Sequence, residues 1–83
     1  MSQKDKLIKR FCQKPKDFTY DELRTLLLYF GYEEDDSGNG SRVKFYNKEL
    51  SDVISLHKPH PGNIVKQYIL KMVMEKLEEE ELL

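Results

Sequence analysis

The chain has 83 residues, 35% of them charged, and a formal net charge of −1. That length bounds it to one small domain with a single core, marginally stable at about 5 kcal/mol. The charge balance excludes a global positive field, the single cysteine (Cys12) excludes an intrachain disulfide, and no apolar run approaches the roughly 20 residues that span a bilayer.

Residues 3–13, QKDKLIKRFCQ, set Leu7, Ile8 and Phe11 at helical spacing. This predicts a short helix, ended by Pro15, with an apolar face able to dock. DFTYDELRTLLLYFGY follows and is the best-specified segment. Thr19 and Glu22 form a T-x-x-E capping box, and Phe18 with Leu23 can close a hydrophobic staple. Leu23, Leu26, Leu27 and Phe30 make the buried stripe, Gly31 suits the C′ position, and Tyr32 can fold back on the last turn. The helix is expected from about Tyr20 to Phe30.

EEDDSGNGS, residues 33–41, reads as a solvated loop with a short strand near Tyr32–Glu34. Its four carboxylates lack the spaced ligand pattern of a calcium loop. Arg42–Asn47 alternates and predicts a strand, Asn47–Ser51 a hairpin loop, and Asp52–His57 a second strand rich in β-branched residues. With Val43, Phe45, Ile54 and Leu56 on the core side, Arg42, Lys44 and Tyr46 share the other face with Val53, Ser55 and His57. HKPHPG then forbids regular structure. A long helix is expected from about Ile64 to Glu80, with Val65, Ile69, Met72, Val73 and Leu77 as its buried stripe. Its EEEE end sits on the negative pole of the helix dipole and is expected to fray.

These elements predict an α+β fold of order α-β-β-β-α. A three-stranded antiparallel sheet carries the helices on one face and leaves the other open. Residues 1–16 form a basic N-terminal helical extension, and residues 17–83 form the main domain with the frayed acidic end. The lone cysteine and the lack of an apolar leader fit a soluble domain of the reducing cytosol.

Charge is unevenly placed. Basic residues crowd residues 1–18 and 42–66, whereas acids collect in Glu33–Asp36 and Glu78–Glu81. Three groups could carry function. The open face offers Arg42, Lys44, Tyr46 and His57, which is either an ordinary wet sheet face or a surface that holds phosphates and stacks a base. LHKPHPGN carries both histidines, His57 and His60, with Lys58. It is either a rigid proline-rich corner or a source of general acid–base chemistry on RNA, with the ribose 2′-OH as nucleophile. As half of a zinc site, H-x-x-H lacks ligands, because the one thiol, Cys12, is remote in sequence. The basic N-terminal segment, Lys66 and Lys71 form the third group, read by default as a solvated face.

The capped helix ending in FGY, the turn into GSRVKF, and the run from His57 through PGNIVKQYILKMVMEKL resemble the HicA family of bacterial toxin–antitoxin toxins, in that order and spacing, from Phe18 to Leu77. The resemblance implies a fold similar to double-stranded-RNA-binding domains. It implies a metal-independent ribonuclease acting on mRNA without a cofactor, blocked by a HicB-type antitoxin. The family's active-site histidine follows the glycine-rich turn, and here that position is Arg42. Arginine stays protonated and cannot be a general base, although it can hold phosphate or developing charge. With that departure, the expectation is that Arg42 holds the scissile phosphate, His57 carries proton transfer with His60 as the alternate, and Lys44, Tyr46, Lys58 and Lys66 contact RNA. Two alternatives stay open: an RNA-binding module that does not cut, and a protein-interaction module whose basic face serves an acidic partner.

Overall fold

The computed structural model describes residues 3–35, 42–59 and 62–83. The elements run α1 (Gln3–Cys12), α2 (Tyr20–Tyr29), β1 (Glu33–Asp35), β2 (Arg42–Asn47), β3 (Asp52–His57) and α3 (Gln67–Glu79). The strands form one antiparallel sheet in the order β1-β2-β3. Val43, Phe45, Ile54 and Leu56 are buried against the helices, whereas Lys44, Val53 and Ser55 on the opposite face are exposed. This is the α+β arrangement expected from the sequence.

The second helix forms where its local signals place it. Thr19 Oγ1 accepts from the Glu22 N–H at 3.1 Å, and Glu22 Oε1 accepts from the Thr19 N–H at 3.0 Å. The helix stops at Gly31, whose φ of 90° is left-handed. There the Gly31 N–H donates to the Leu28 carbonyl at 3.1 Å and the Tyr32 N–H to Leu27 at 2.9 Å. This is the paired bonding of a Schellman motif, and it turns Tyr32 into the core. A side chain at Gly31 would also crowd buried Asn47, whose amide nitrogen lies 3.2 Å from where a Cβ would stand. That nitrogen donates to the Phe30 carbonyl at 3.0 Å, and Asn47 Oδ1 accepts from the Glu49 and Leu50 N–H groups of the hairpin.

The N-terminal helix docks. Phe11 is buried with its ring 5.7 Å from Phe18. Arg10 reaches Glu22 at 2.8 Å and Asp17 at 3.0 Å. The hydrogen bond from Arg10, helped by those from Thr19, holds the Glu22 carboxyl below its ordinary pKa against the opposing effect of burial.

The last helix begins three residues later than expected, at Gln67 rather than Ile64. The cause is non-local. Thr19 and Ile64 form a β-bridge, with the Tyr20 N–H donating to the Asn63 carbonyl and the Val65 N–H to Phe18, each at 2.8 Å. The buried face also needs correction: Met72 is exposed, and Leu70 is fully buried in its stead. At about 100° per residue, Ile69, Val73, Leu77 and Leu70 share one ~100° arc, and Met72 falls ~60° beyond it. Past Glu79 the chain repeats the ending of α2 with Glu81 in place of glycine. Glu81 has φ 59°, its N–H donates to Glu78, and the Leu82 N–H donates to Leu77 at 2.9 Å. Leu82 packs against the core.

A polar staple joins sheet to helix at this end. The Tyr32 hydroxyl donates to Asp52 Oδ2 at 2.7 Å, and Lys76 Nζ donates to Asp52 Oδ1 at 2.8 Å. Burial pushes the Asp52 pKa up, but these donors outweigh it and leave the carboxyl below its ordinary value. Burial and the adjacent carboxylate push the Tyr32 phenol up.

Candidate nucleic-acid interface

The open face is ordered by strand register. Arg42 pairs with His57, Lys44 with Ser55, and Tyr46 with Val53. On the other side of β2, Asp35 pairs with Lys44 and Glu33 with Tyr46. Cross-strand partners on one face stand about 5 Å apart at Cβ, so Arg42 and His57 are immediate neighbours. Both are exposed. The charge character changes along the sheet. Lys44 has a carboxylate beside it, and Tyr46 lies between Glu33 and Val53. Arg42 is paired on the β3 side with His57 rather than with a carboxylate.

The Arg42–His57 end gathers more than the sheet. There β1 ends, β2 begins, β3 ends, and both α2 and α3 begin. The alternation that points His57 outward sends Lys58 to the helix side. The Lys58 ammonium lies 5.9 Å from the centre of the Tyr20 ring. The Tyr20 hydroxyl donates to Glu34, which also pairs with Arg24 at 3.2 Å. Lys66 is the exposed N-cap residue of α3. Next to it, the Gln67 side chain donates to the Lys14 carbonyl at 2.8 Å. Lys66 thus belongs to the helical layer with the N-terminal segment.

The structure therefore brings Arg42, Lys44, Tyr46 and His57 onto one face and sets Lys58 and Lys66 on the helical side. His60 and the glycine-rich turn lie outside the described residues. Tyr20 and Glu34 are participants that sequence reasoning missed. They meet because β1 turns Glu34 inward between the exposed Glu33 and Asp35. Among the described residues, no three His, Cys, Asp or Glu side chains are grouped to hold a metal ion. Nor is any helix among them long and apolar enough to cross a membrane.

Fold and face together define a small α-β-β-β-α domain with Arg42 and His57 paired at one exposed end of its sheet. The chain belongs to the HicA family: a family model described as HicA toxin of bacterial toxin-antitoxin matches residues 20–78. The match opens on the first residue of α2 and closes one residue before the end of α3, so α1 lies outside it. Membership makes the chain a toxin of a toxin–antitoxin system, with an antitoxin as its partner. Comparison with curated proteins and with solved structures gives no match.

Proposed function

We propose that this toxin binds RNA across the Arg42–His57 end of its sheet and cleaves it, acting on mRNA in the cytoplasm until a HicB-type antitoxin covers the surface. The observation that carries this reading is the direct cross-strand pairing of Arg42 with His57 on an exposed face. Arg42 replaces the family's histidine and cannot take a proton. The pairing supplies an imidazole one strand away from the lost one. His57 then acts as base or acid on the ribose 2′-OH, and Arg42 holds the charge that develops on the phosphate. Lys44 and Tyr46 extend the contact surface along β2, Lys58 and Lys66 add cations at the rim, and His60 is the alternate proton carrier.

The test is incubation of the protein with a structureless RNA in excess EDTA, beside His57→Ala, His60→Ala and Arg42→Ala. Cleavage that His57→Ala removes supports the assignment. Cleavage at the normal rate by His57→Ala overturns it. The Arg42 substitution itself favours a second reading, a domain that binds RNA and leaves it intact. Under that reading all four proteins shift RNA on a gel without product, and the affinity falls as salt rises.

A further inference from the structure

Tyr20 touches both ends of the corner that leads from β3 to α3. At one end the Lys58 ammonium lies over its ring, 5.9 Å from the centroid. At the other its backbone N–H donates to the Asn63 carbonyl at 2.8 Å. Tyr20 is itself held on several sides. It opens the capped helix α2, its ring meets Phe45 at 6.4 Å, and its hydroxyl donates to Glu34. Glu34 stands opposite Phe45 in the β1–β2 ladder and is pinned from the helix by Arg24. The aromatic face offered to Lys58 is thus fixed by the helix, the core and the first strand at once.

Two physical effects follow. A lysine head on a four-carbon stem samples many positions unless something holds it. An aromatic face within about 6 Å attracts an ammonium, and a phenol that donates to a carboxylate presents a more electron-rich face. Lys58 is also the residue after His57, so its backbone lies within one peptide unit of the Arg42–His57 pair.

We propose that Tyr20 is a positioning residue, holding the Lys58 ammonium on the helical side of the sheet end that carries the Arg42–His57 pair, so that an RNA strand leaving that pair over the end of the sheet meets it at the next phosphate. The phosphate contact rests on the RNA-binding reading above. The hold of Tyr20 on Lys58 does not, and the two fail separately.

The free protein is tested first. By NMR, the Lys58 ε-methylene protons are expected upfield of their ordinary position because of the Tyr20 ring current, and Tyr20→Leu returns them to it. Ordinary positions in the wild type overturn the proposal, whatever the protein does with RNA. Binding of a single-stranded oligoribonucleotide across a salt series is tested second. Lys58→Ala is expected to reduce the log–log salt slope by roughly 0.7, the value of one phosphate contact. Tyr20→Leu reduces it in the same direction by a part of that amount, and the double variant reduces it no further than Lys58→Ala alone. Tyr20→Phe, which keeps the ring, retains nearly the wild-type slope and guards against misfolding of the leucine variant. A wild-type slope in folded Tyr20→Leu, or additive losses in the double variant, overturn the positioning role. If the NMR shift is present and the wild type does not bind RNA, the RNA surface is wrong, and Tyr20 still holds Lys58.

Discussion

The two ends of the sheet are built differently. At one end the β2–β3 hairpin and the last turns of α2 and α3 close on themselves. Asn47 ties hairpin to helix, Asp52 ties β3 to Tyr32 and Lys76, and both helices finish in paired Schellman bonds. At the other end Arg42 and His57 stand exposed, side by side, with Lys58 and Lys66 on the rim. The closed end binds its polar groups to one another, whereas the open end keeps Arg42, His57 and Lys66 exposed. Under the proposed function, this division separates residues whose loss costs stability from residues whose loss costs function.

The sharpest way to break that separation is to remove one residue from each end. His57→Ala is expected to reduce RNA cleavage by about 10²–10⁴-fold, the usual worth of a proton-transfer group. Its effect on stability is expected to stay within about 0.5 kcal/mol, as for an exposed residue. Paired cleavage assays and urea melts measure both. Asp52→Ala is expected to do the reverse. It strands the Tyr32 hydroxyl and the Lys76 ammonium, at a cost of about 1–3 kcal/mol in a urea melt, while cleavage per folded molecule is unchanged. Loss of activity in folded Asp52→Ala would show that the two ends are coupled.

Acid sharpens the same contrast. Asp52 and Glu22 have folded-state pKa values below their ordinary ones. A depressed carboxyl contributes stability that is complete above its unfolded pKa, near 4, and is lost as pH falls through the folded value. Stability is therefore expected to fall below about pH 4. Asp52→Asn should flatten that limb. Thermal melts from pH 2 to pH 6 give the comparison.

What was legible in the sequence follows how local each signal is. The limits of α2 were readable because Thr19, Glu22 and Gly31 act within one turn of it. That Arg42 and His57 share one face was readable from the alternation of the two strands, whereas their direct pairing is set by the hairpin register. The start of α3 was not, because residues 63–65 are drawn off to pair with residues 18–20, more than forty positions away. Met72 was placed in the buried stripe three residues after Ile69, but the stripe is centred on the other side of Ile69, where Leu70 lies. Lys58 followed His57 and was grouped with it, although alternation sends the two to opposite sides. The contact of Tyr20 with Glu34 depends on which way a three-residue strand faces in an acidic run, and no periodicity in so short a stretch fixes that.

The smallest expected effect lies in the ends of the two helices. Both close through a residue in the left-handed region, Gly31 after α2 and Glu81 after α3. Glycine takes that conformation without steric cost, whereas a residue with a Cβ is disfavoured in it by about 1 kcal/mol. Glu81 also adds a carboxylate where the helix dipole is already negative. Glu81→Gly removes both penalties and restores only the greater backbone freedom of glycine in the unfolded chain. It is expected to raise stability by about 0.5 kcal/mol with cleavage unchanged, read as a shift in urea midpoint at constant slope. A fall in stability would mean that the αL bonds at Leu77 and Glu78 do not hold in solution, and that the closed end is closed by Asp52 and Asn47 alone.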